Sequence, residues 1–372
     1  MTLSREPALQ AATPSVARWR LLVAAGLPIA AVVGVIICIW FGLGTIALTL
    51  GDVVAAFPAA PYALDGSRHL AVASVVAAGG DPYSVAGYLY PPPGAVVMMP
   101  LAALGPEAGL WAWFAIKIAI VLWCVLDATR NEGWPVRALA IAFVTTLTFV
   151  LDDMWLGNVS ILMTAAIYLA VSRDRPWAAI PLGICLAALA KPFLIPFLLW
   201  MLVFRRRSAV SALGTAAAAT VVAVVVMGPG SYRAYLDALT TATRIDLSYS
   251  MGLSGVAPAL LAPGSVAALA IFVILLLRSR DESSLLVWSL LVGLVAAPYV
   301  TLYSVVPVLA GMPMLARVHP SRALLFAALV APVSLVALMA ATVLGLVIAF
   351  PSDVFGRVRR DVPASAPAEA RS

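Results

Sequence analysis

Long apolar runs separated by short clusters of arginine restrict most strongly how this chain can fold. The run from Trp177 to Phe204, for example, contains one charged residue, Lys191, and has arginines on both sides. Hydrophobic residues make up 63% of the chain and charged residues 11%, whereas a soluble domain carries roughly 25% charged residues. Because continuous apolar runs suit membrane helices and not the alternating strands of a barrel, the sequence predicts an all-α, polytopic helical membrane protein.

The arginine clusters also predict a topology, because loops rich in Lys and Arg stay in the cytoplasm. The arm 1–20 is assigned to the cytoplasm, residues 21–350 to the transmembrane domain, and residues 351–372 to a disordered tail. Two polar stretches are then extracytoplasmic: the first loop, 52–90, and the second large loop, 228–263. We expect a multi-pass protein of a cell membrane, the plasma membrane of a bacterium. The net charge of +6 is spread over the short loops, so membrane lipids and no nucleic acid are the expected partners.

About ten to twelve crossings fit the apolar runs, and an interfacial helix at 94–104 follows the first loop. The predicted crossings are 21–48, 110–126, 138–150, 159–171, 209–227, 265–277, 284–297 and 300–315, with a last stretch at 323–350 that crosses once or folds as a pair. The run 177–204 must cross an even number of times, because arginines flank both of its ends. Two short helices meeting at Lys191-Pro192 satisfy this condition, since proline disfavours helix at the residue before it. Lys191 is therefore predicted to lie at the outer surface.

Charged residues outside the arginine clusters are the candidates for function. Asp65 is predicted to lie in a short non-helical stretch of the first loop, on the same side as Lys191, and an ionisable group at a membrane boundary is a functional candidate by default. Lys117 lies inside a predicted crossing and needs a partner or a water-filled cavity. Asp152 and Asp153 are predicted to be solvated surface acids. The three cysteines all fall in apolar runs and indicate neither a disulfide nor a metal site.

Several short motifs, taken in order, resemble those of glycosyltransferase family 87. They lie within about residues 65–207 and continue more weakly to 307. The motifs are Gly80-Asp81-Pro82-Tyr83, Tyr90-Pro91-Pro92, Gly157-Asn158, and Leu189-Ala190-Lys191-Pro192-Phe193 with the arginines that follow it. Two segments depart from the family pattern. Tyr299, Thr301 and Tyr303 stand where many relatives have histidine, and Ser248-Tyr249-Ser250 stands where they have an Asn-x-Ser element.

The resemblance implies a bundle of the glycosyltransferase C superfamily that takes its sugar from polyprenyl phosphate at the outer face of the membrane. Characterised members of family 87 are mannosyltransferases that use polyprenyl-phosphate mannose, so the resemblance implies that a hexose, mannose, is the sugar and a lipid or glycan the acceptor. A role in the cell envelope, in glycolipid biosynthesis, is the expectation that follows. By position, the resemblance makes Asp65 the catalytic base and Lys191 the residue of the Lys-Pro helix pair.

The expected reaction is an inverting single displacement, for which one carboxylate base is enough because phosphate is already a good leaving group. Cations or oriented donors must stabilise the leaving phosphate, and the predicted set is Lys191, Arg68, His69 and Arg244. The predicted substrate pocket adds Asp81, Tyr90, Asn158 and Tyr303. Asp81 has a second interpretation as the cap of its turn. No cofactor and no metal ligand set is expected, since Asp152-Asp153 is not a DxD pair.

Two alternatives stay open at this point. The first is a transporter or flippase of a lipid-linked sugar, which predicts polar residues spread through the middle of the bundle. The second is a transferase of another polyprenyl-phosphate sugar, such as a pentose. In this chain the polar residues concentrate at the outer boundary, which favours a transferase.

Overall fold

The computed structural model describes residues 63–173, 175–189, 191–242, 261–297, 300–319 and 322–323. Within these residues the secondary structure is helical, without a strand, which confirms the all-α prediction. The predicted arm, the crossing at 21–48, Arg244, the segment 248–250 and residues 324–372 lie outside the described residues. The α-helices are α1 Leu64–Ala77, α2 Pro92–Ala102, α3 Pro106–Ala128, α4 Trp134–Thr146, α5 Thr148–Leu156, α6 Ser160–Ser172, α7 Ile180–Leu189, α8 Ile195–Phe204, α9 Arg206–Met227, α10 Gly230–Ala242, α11 Leu261–Arg278, α12 Glu282–Ala296 and α13 Met312–Val318.

Two of the described helices are long and apolar enough to cross a membrane. They are α3, with 23 residues and a mean hydropathy of 2.1, and α9, with 22 residues and a mean hydropathy of 2.2. The other apolar helices are shorter, although a straight crossing of the hydrocarbon core takes about 20 residues. The predicted ten to twelve crossings therefore stay a prediction.

The break at Lys191 is confirmed. Helix α7 ends at Leu189, a 3₁₀ turn covers Pro192–Leu194, and α8 begins at Ile195. Proline has no N–H to donate and disfavours helix at the residue before it, so the apolar run divides where Lys191 meets Pro192. The amino acid sequence therefore determines this break locally.

Three other predicted boundaries are wrong. Asp65 does not lie in a non-helical stretch, because it stands in the first turn of α1. The predicted crossing 138–150 is interrupted at Leu147, whose extended backbone ends α4 and begins α5. The predicted crossing 300–315 is a 3₁₀ helix, Leu302–Gly311, followed by α13. Thr301 and Ser304 cap the start of that 3₁₀ helix, and Pro307 inside it lacks a donor for the α-helical pattern.

Helix α12 lies at the centre of the bundle, and most of its residues are buried. Its Gly293 lets the backbone of Phe193 approach closely, and Gly183 of α7 admits Thr215 of α9 in the same way. Glycine has no Cβ, so the helices approach more closely at these points than a larger residue would permit. The packing brings the α7–α8 junction, which carries Lys191, into the core of the bundle.

Ion pairs join the helix ends at the end of the bundle that carries the arginine clusters. The Asp127 carboxylate also accepts a hydrogen bond from the Tyr168 hydroxyl at 2.7 Å. The pairs are Asp127–Arg173 at 2.6 Å, Arg205–Glu282 at 2.6 Å and Asp281–Arg322 at 2.6 Å. Helices α3, α6 and α8 end here and α12 begins here, so their opposite termini lie together at the other end of the bundle. That other end holds the α1 helix and the start of the 3₁₀ helix at 302.

Candidate functional site

Asp65 is held by two donors that come from different parts of the chain. Its Oδ1 accepts from Arg68 Nη1 at 3.0 Å, one helical turn away, and its Oδ2 accepts from Asn158 Nδ2 at 2.6 Å. The side chain is 17% exposed. Ala63, the N-cap residue of α1, has a φ of 60° and donates its N–H to Trp155 O at 2.8 Å. The start of α1 is therefore held by a main-chain hydrogen bond to the end of α5. In this position the Asp65 carboxylate faces Asn158.

The turn between α5 and α6 presents Asn158. Gly157 ends α5 with a φ of 70°, a conformation that glycine adopts without strain. The Trp113 indole donates to Gly157 O at 2.8 Å. A Cβ on Gly66 of α1 would lie 3.4 Å from the Gly157 Cα, so α1 and the turn touch backbone to backbone. Asn158 Oδ1 accepts from Val159 N at 2.7 Å, which turns its amide donor toward Asp65.

Lys117 and Asp153 form a buried ion pair beneath this turn. Lys117 Nζ lies 2.7 Å from Asp153 Oδ1, and both side chains are fully buried. The same ammonium donates to the Asp153 main-chain oxygen at 2.6 Å. The prediction that Asp153 is a solvated surface acid is therefore wrong, because its carboxylate is buried as the counter-ion of Lys117. The expectation that Lys117 needs a partner is confirmed.

Arg68 links Asp65 to the rim of the site. Its Nε donates to Ala86 O at 3.1 Å. Gly87, with a φ of 76°, passes directly beneath the guanidinium, so that a Cβ there would lie 3.2 Å from Arg68 Cζ. Three of the five guanidinium N–H groups remain for other acceptors. Arg68 is thus fixed in position and still able to donate.

His69 lies on the buried side of α1 among tyrosines. Its ring centroid is 4.8 Å from that of Tyr90 and 6.2 Å from that of Tyr88. Burial, together with the charges of Arg68 and Lys191, lowers the pKa of His69 to about 3. The imidazole is therefore neutral at ordinary pH. Any contact between His69 and a phosphate is then a neutral hydrogen bond and not an ion pair.

Lys191 lies between two tyrosine rings of the site. Its ammonium lies 5.5 Å from the Tyr90 ring centroid and 5.9 Å from that of Tyr303, within the range of a cation–π contact. The Asn158 side chain lies near Tyr90 and opposes the rise in the Tyr90 pKa that burial causes. Burial lowers the pKa of Lys191, and the negative charges of Asp65 and Asp153 oppose that effect. These contacts join five residues into one continuous set: Asp65, Asn158, Tyr90, Lys191 and Tyr303.

Asp152 is a second acidic group beside this set. A backbone hydrogen bond joins its carboxylate to Tyr303. Burial and the neighbouring Asp153 raise the pKa of Asp152 to about 6, and the charge of Asp65 acts in the same direction. Asp152 is half-buried, so the prediction that it is a solvated surface acid is also wrong.

Two residues of the predicted set are not part of these contacts. Asp81 is exposed and caps the turn Pro82–Ser84, accepting from Tyr83 N at 3.0 Å. This supports its second interpretation as a turn residue, and its assignment to the substrate pocket stays a prediction. Arg244 lies outside the described residues. Tyr83 extends the aromatic cluster instead, with its ring centroid 5.8 Å from that of Tyr88 and 6.0 Å from that of Tyr235.

The site combines one carboxylate, that of Asp65, with the cations Arg68 and Lys191 and with several tyrosines. Among the described residues, no group of three or more His, Cys, Asp or Glu side chains could hold a metal ion. The sequence did not predict the pairing of Lys117 with Asp153. A lysine within an apolar run signalled the need for an acidic partner. Asp153, four residues before Gly157, was the acid nearest to the Gly157-Asn158 motif and so a candidate for that partner.

The family model of glycosyltransferase family 87 matches residues 88–338, about two thirds of the 372 residues. The matched range contains Tyr90, Asn158, Lys191 and Tyr303, whereas Asp65 and Arg68 precede it. No curated protein and no solved structure matches the chain. Asp65 is connected to the matched range through its hydrogen bond with Asn158.

Proposed function

The chain belongs to glycosyltransferase family 87, and from this we propose that it transfers a hexose, mannose, from polyprenyl phosphate to a lipid or glycan acceptor at the extracytoplasmic face of a cell membrane. The observation that carries the proposal is the contact between the Asp65 carboxylate and Asn158, at 2.6 Å. It joins the only predicted base to the part of the chain that also holds Lys191.

In the proposed reaction the acceptor hydroxyl oxygen attacks the anomeric carbon of the donor. The bond from that carbon to the phosphate oxygen breaks, polyprenyl phosphate leaves, and the hydroxyl proton passes to Asp65. A single displacement of this kind inverts the anomeric configuration. Each oxygen of the Asp65 carboxylate accepts one hydrogen bond from the protein and keeps a second lone pair for the incoming proton.

Lys191 is the proposed partner of the leaving phosphate. Among the described residues, its ammonium contacts two tyrosine rings and forms no ion pair with an acidic side chain. The ring contacts hold the ammonium in position while its three N–H donors stay available. A positioned cation stabilises the charge that develops on the phosphate as the sugar leaves. Arg68 adds its remaining donors from the other side of Asp65.

The arrangement of helices supports a donor held by a membrane lipid. Helix α6 runs 13 residues, from Ser160 beside the site to Ser172 at the arginine end, which is about 20 Å at 1.5 Å per residue. The hydrocarbon core of a bilayer is about 30 Å thick. With the arginines at the cytoplasmic surface, we infer that the site lies in the outer half of the membrane, about 10 Å from the outer boundary. A phosphate on a polyprenyl chain can reach that depth from within the lipid.

The proposal is tested by product analysis with purified protein. We would incubate it with synthetic polyprenyl-phosphate mannose, and separately with the glucose and pentose donors, in vesicles of mixed membrane lipids. Mass spectrometry of the lipids should show a mannosylated acceptor and free polyprenyl phosphate. Transfer from the pentose donor and from no other donor would show that the sugar is a pentose and not mannose. Movement of intact donor between leaflets without any transfer would favour the flippase.

The role of Lys191 has its own test. Lys191→Met removes the ammonium and keeps an apolar chain of similar length, so we expect kcat to fall about 100-fold, the order of magnitude for loss of one charge-stabilising donor. Arg205→Met is the matched control, because it removes a cation at the opposite end of the bundle. Equal loss of activity in both variants would contradict the assignment.

A further inference from the structure

Lys117 is the one charged residue inside the apolar helix α3 between Glu107 and Asp127, and the reaction proposed above does not use it. Resting on that proposed function, we propose that Lys117 is a positioning residue: through Asp153 it holds the turn that aims the Asn158 amide at the Asp65 carboxylate. Lys117 touches no reacting atom in this account. It acts on the geometry of the base.

The cost of burying the pair indicates more than packing. Both side chains are fully buried, and replacing such a pair with apolar residues is often neutral or stabilising. A helix that needed only stability at this position would be served by leucine or methionine. What the ion pair adds is a fixed geometry, because an ammonium has several donors and satisfies more than one acceptor at once.

The contacts of Asp153 fasten the turn on both sides of Asn158. The Asp153 main-chain oxygen accepts from Lys117 Nζ at 2.6 Å and from Asn158 N at 3.0 Å. The Asp153 Oδ2 accepts from Ser160 N at 3.0 Å. The main-chain N–H groups of Asn158 itself and of Ser160 are therefore both bonded to Asp153, and Lys117 fixes Asp153 in turn. On this turn the Asn158 Oδ1 accepts from Val159 N at 2.7 Å and its Nδ2 donates to Asp65 Oδ2 at 2.6 Å.

The geometry predicts how the reaction responds to pH. A hydrogen bond to the charged form of a carboxylate favours that form, so loosening Asn158 disfavours the ionised base. The acidic limb of the kcat/KM profile then moves to higher pH. The other charged or titratable groups near Asp65 stay in place in this comparison; they are Arg68 and His69 on α1, Tyr90 before α2, Asp152 on α5 and Lys191 before α8.

The test compares three variants of the full-length protein in the transfer assay. Asn158→Ala removes the donor to Asp65. Lys117→Met with Asp153→Asn removes both charges and keeps an acceptor for Ser160 N. The third variant combines all three changes. We expect the acidic limb to move up by about one pH unit in the first two, the order expected for loss of one charge-assisted hydrogen bond, and by no more in the third.

A merely structural role gives a different result. It would lower the amount of folded enzyme and reduce kcat/KM at every pH, without moving the limb, and that outcome would overturn the proposal. Additive shifts in the combined variant would overturn it as well. Arg130→Met, at the arginine end of the same helix, is the control and should leave the limb unchanged.

Two further comparisons keep the result decisive. Should the double variant yield no folded protein, Lys117→Gln is the second variant: its side chain is neutral and one bond shorter, so it holds Asp153 less firmly than the ammonium does. The limb should then move in the same direction by a smaller amount, and an unchanged limb would count against the proposal. Failure of the proposed function is recognised separately. In that case wild-type protein transfers no sugar at any pH, or Asp65→Asn is as active as wild type.

Discussion

The buried Lys117–Asp153 pair makes a strong prediction about stability. Lys117→Met leaves the Asp153 carboxylate buried, with Ser160 N as its one main-chain donor of 3.0 Å. Removing one partner of a buried ion pair costs about 3–5 kcal/mol, because the remaining charge is uncompensated. At about 2 °C per kcal/mol, the value for larger domains, the unfolding midpoint should fall by roughly 6–10 °C.

Thermal unfolding of purified protein in detergent, followed by tryptophan fluorescence, measures this midpoint. Lys117→Met with Asp153→Leu removes both charges and should recover most of the loss, since a matched apolar replacement is often neutral. Arg130→Met is the control, because Arg130 is 53% exposed in its pair with Asp127 at 3.5 Å and such pairs contribute at most about 1 kcal/mol. A Lys117→Met midpoint within 2 °C of wild type, roughly 1 kcal/mol, would refute the reasoning.

Two further predictions concern the surroundings of Asp65. Gly66→Val should separate α1 from the Gly157 turn, because even a Cβ there would lie 3.1 Å from Leu110 Cδ1 and 3.4 Å from Gly157 Cα. Overpacking of this kind lowers the free energy of unfolding by about 1–3 kcal/mol. Ser67→Ala, on the exposed face of α1, is the control. Burial raises the pKa of Asp152 to about 6, so the folded protein binds more protons than the unfolded chain between about pH 4 and 6, and stability falls as pH rises through that window. Asp152→Asn should therefore raise the unfolding midpoint at pH 8 and change it little at pH 4, and an equal effect at both values would contradict the assignment.

The sequence predicted the helical class and several helix positions correctly, for local reasons. Apolar run length predicted α3 and α9, and proline chemistry predicted the break at Lys191, because both signals depend on neighbouring residues alone. The start of α1 was missed because the chain enters it through Ala63, whose left-handed backbone is held by a distant contact with Trp155. No residue near Ala63 signals that contact.

The site divides in the same way. The ordered motifs brought forward Tyr90, Asn158 and Lys191, which the structure joins in one set of contacts. Asp153 was misassigned because its neighbour in sequence, Asp152, and the polar turn after it resemble a surface loop. Its burial follows from a tertiary contact between α3 and α5, which joins Lys117 to Asp153, 36 positions apart in the sequence. Only the unpaired lysine in an apolar run pointed to it.

The state of His69 could not have been predicted from composition. A histidine next to an arginine suggests a cationic pair for phosphate, and the sequence contains nothing against this. Burial among Tyr88 and Tyr90 lowers its pKa to about 3, and this burial depends on how the loop after α1 folds back. The neutral ring leaves His69 to act on a phosphate as a hydrogen-bond donor, and its assignment to phosphate binding stays a prediction.

The most direct test of the central claim is sugar transfer by the Asp65→Asn variant. Asparagine keeps the size of the side chain but cannot accept the hydroxyl proton, and a general base contributes about 10²–10⁴-fold. We predict that transfer from polyprenyl-phosphate mannose falls by at least that lower factor, while unfolding stays close to wild type. Glu107→Gln, which changes an exposed acid in the first turn of α3, is the control and should stay active. An Asp65→Asn variant that transfers sugar at the wild-type rate would contradict the account.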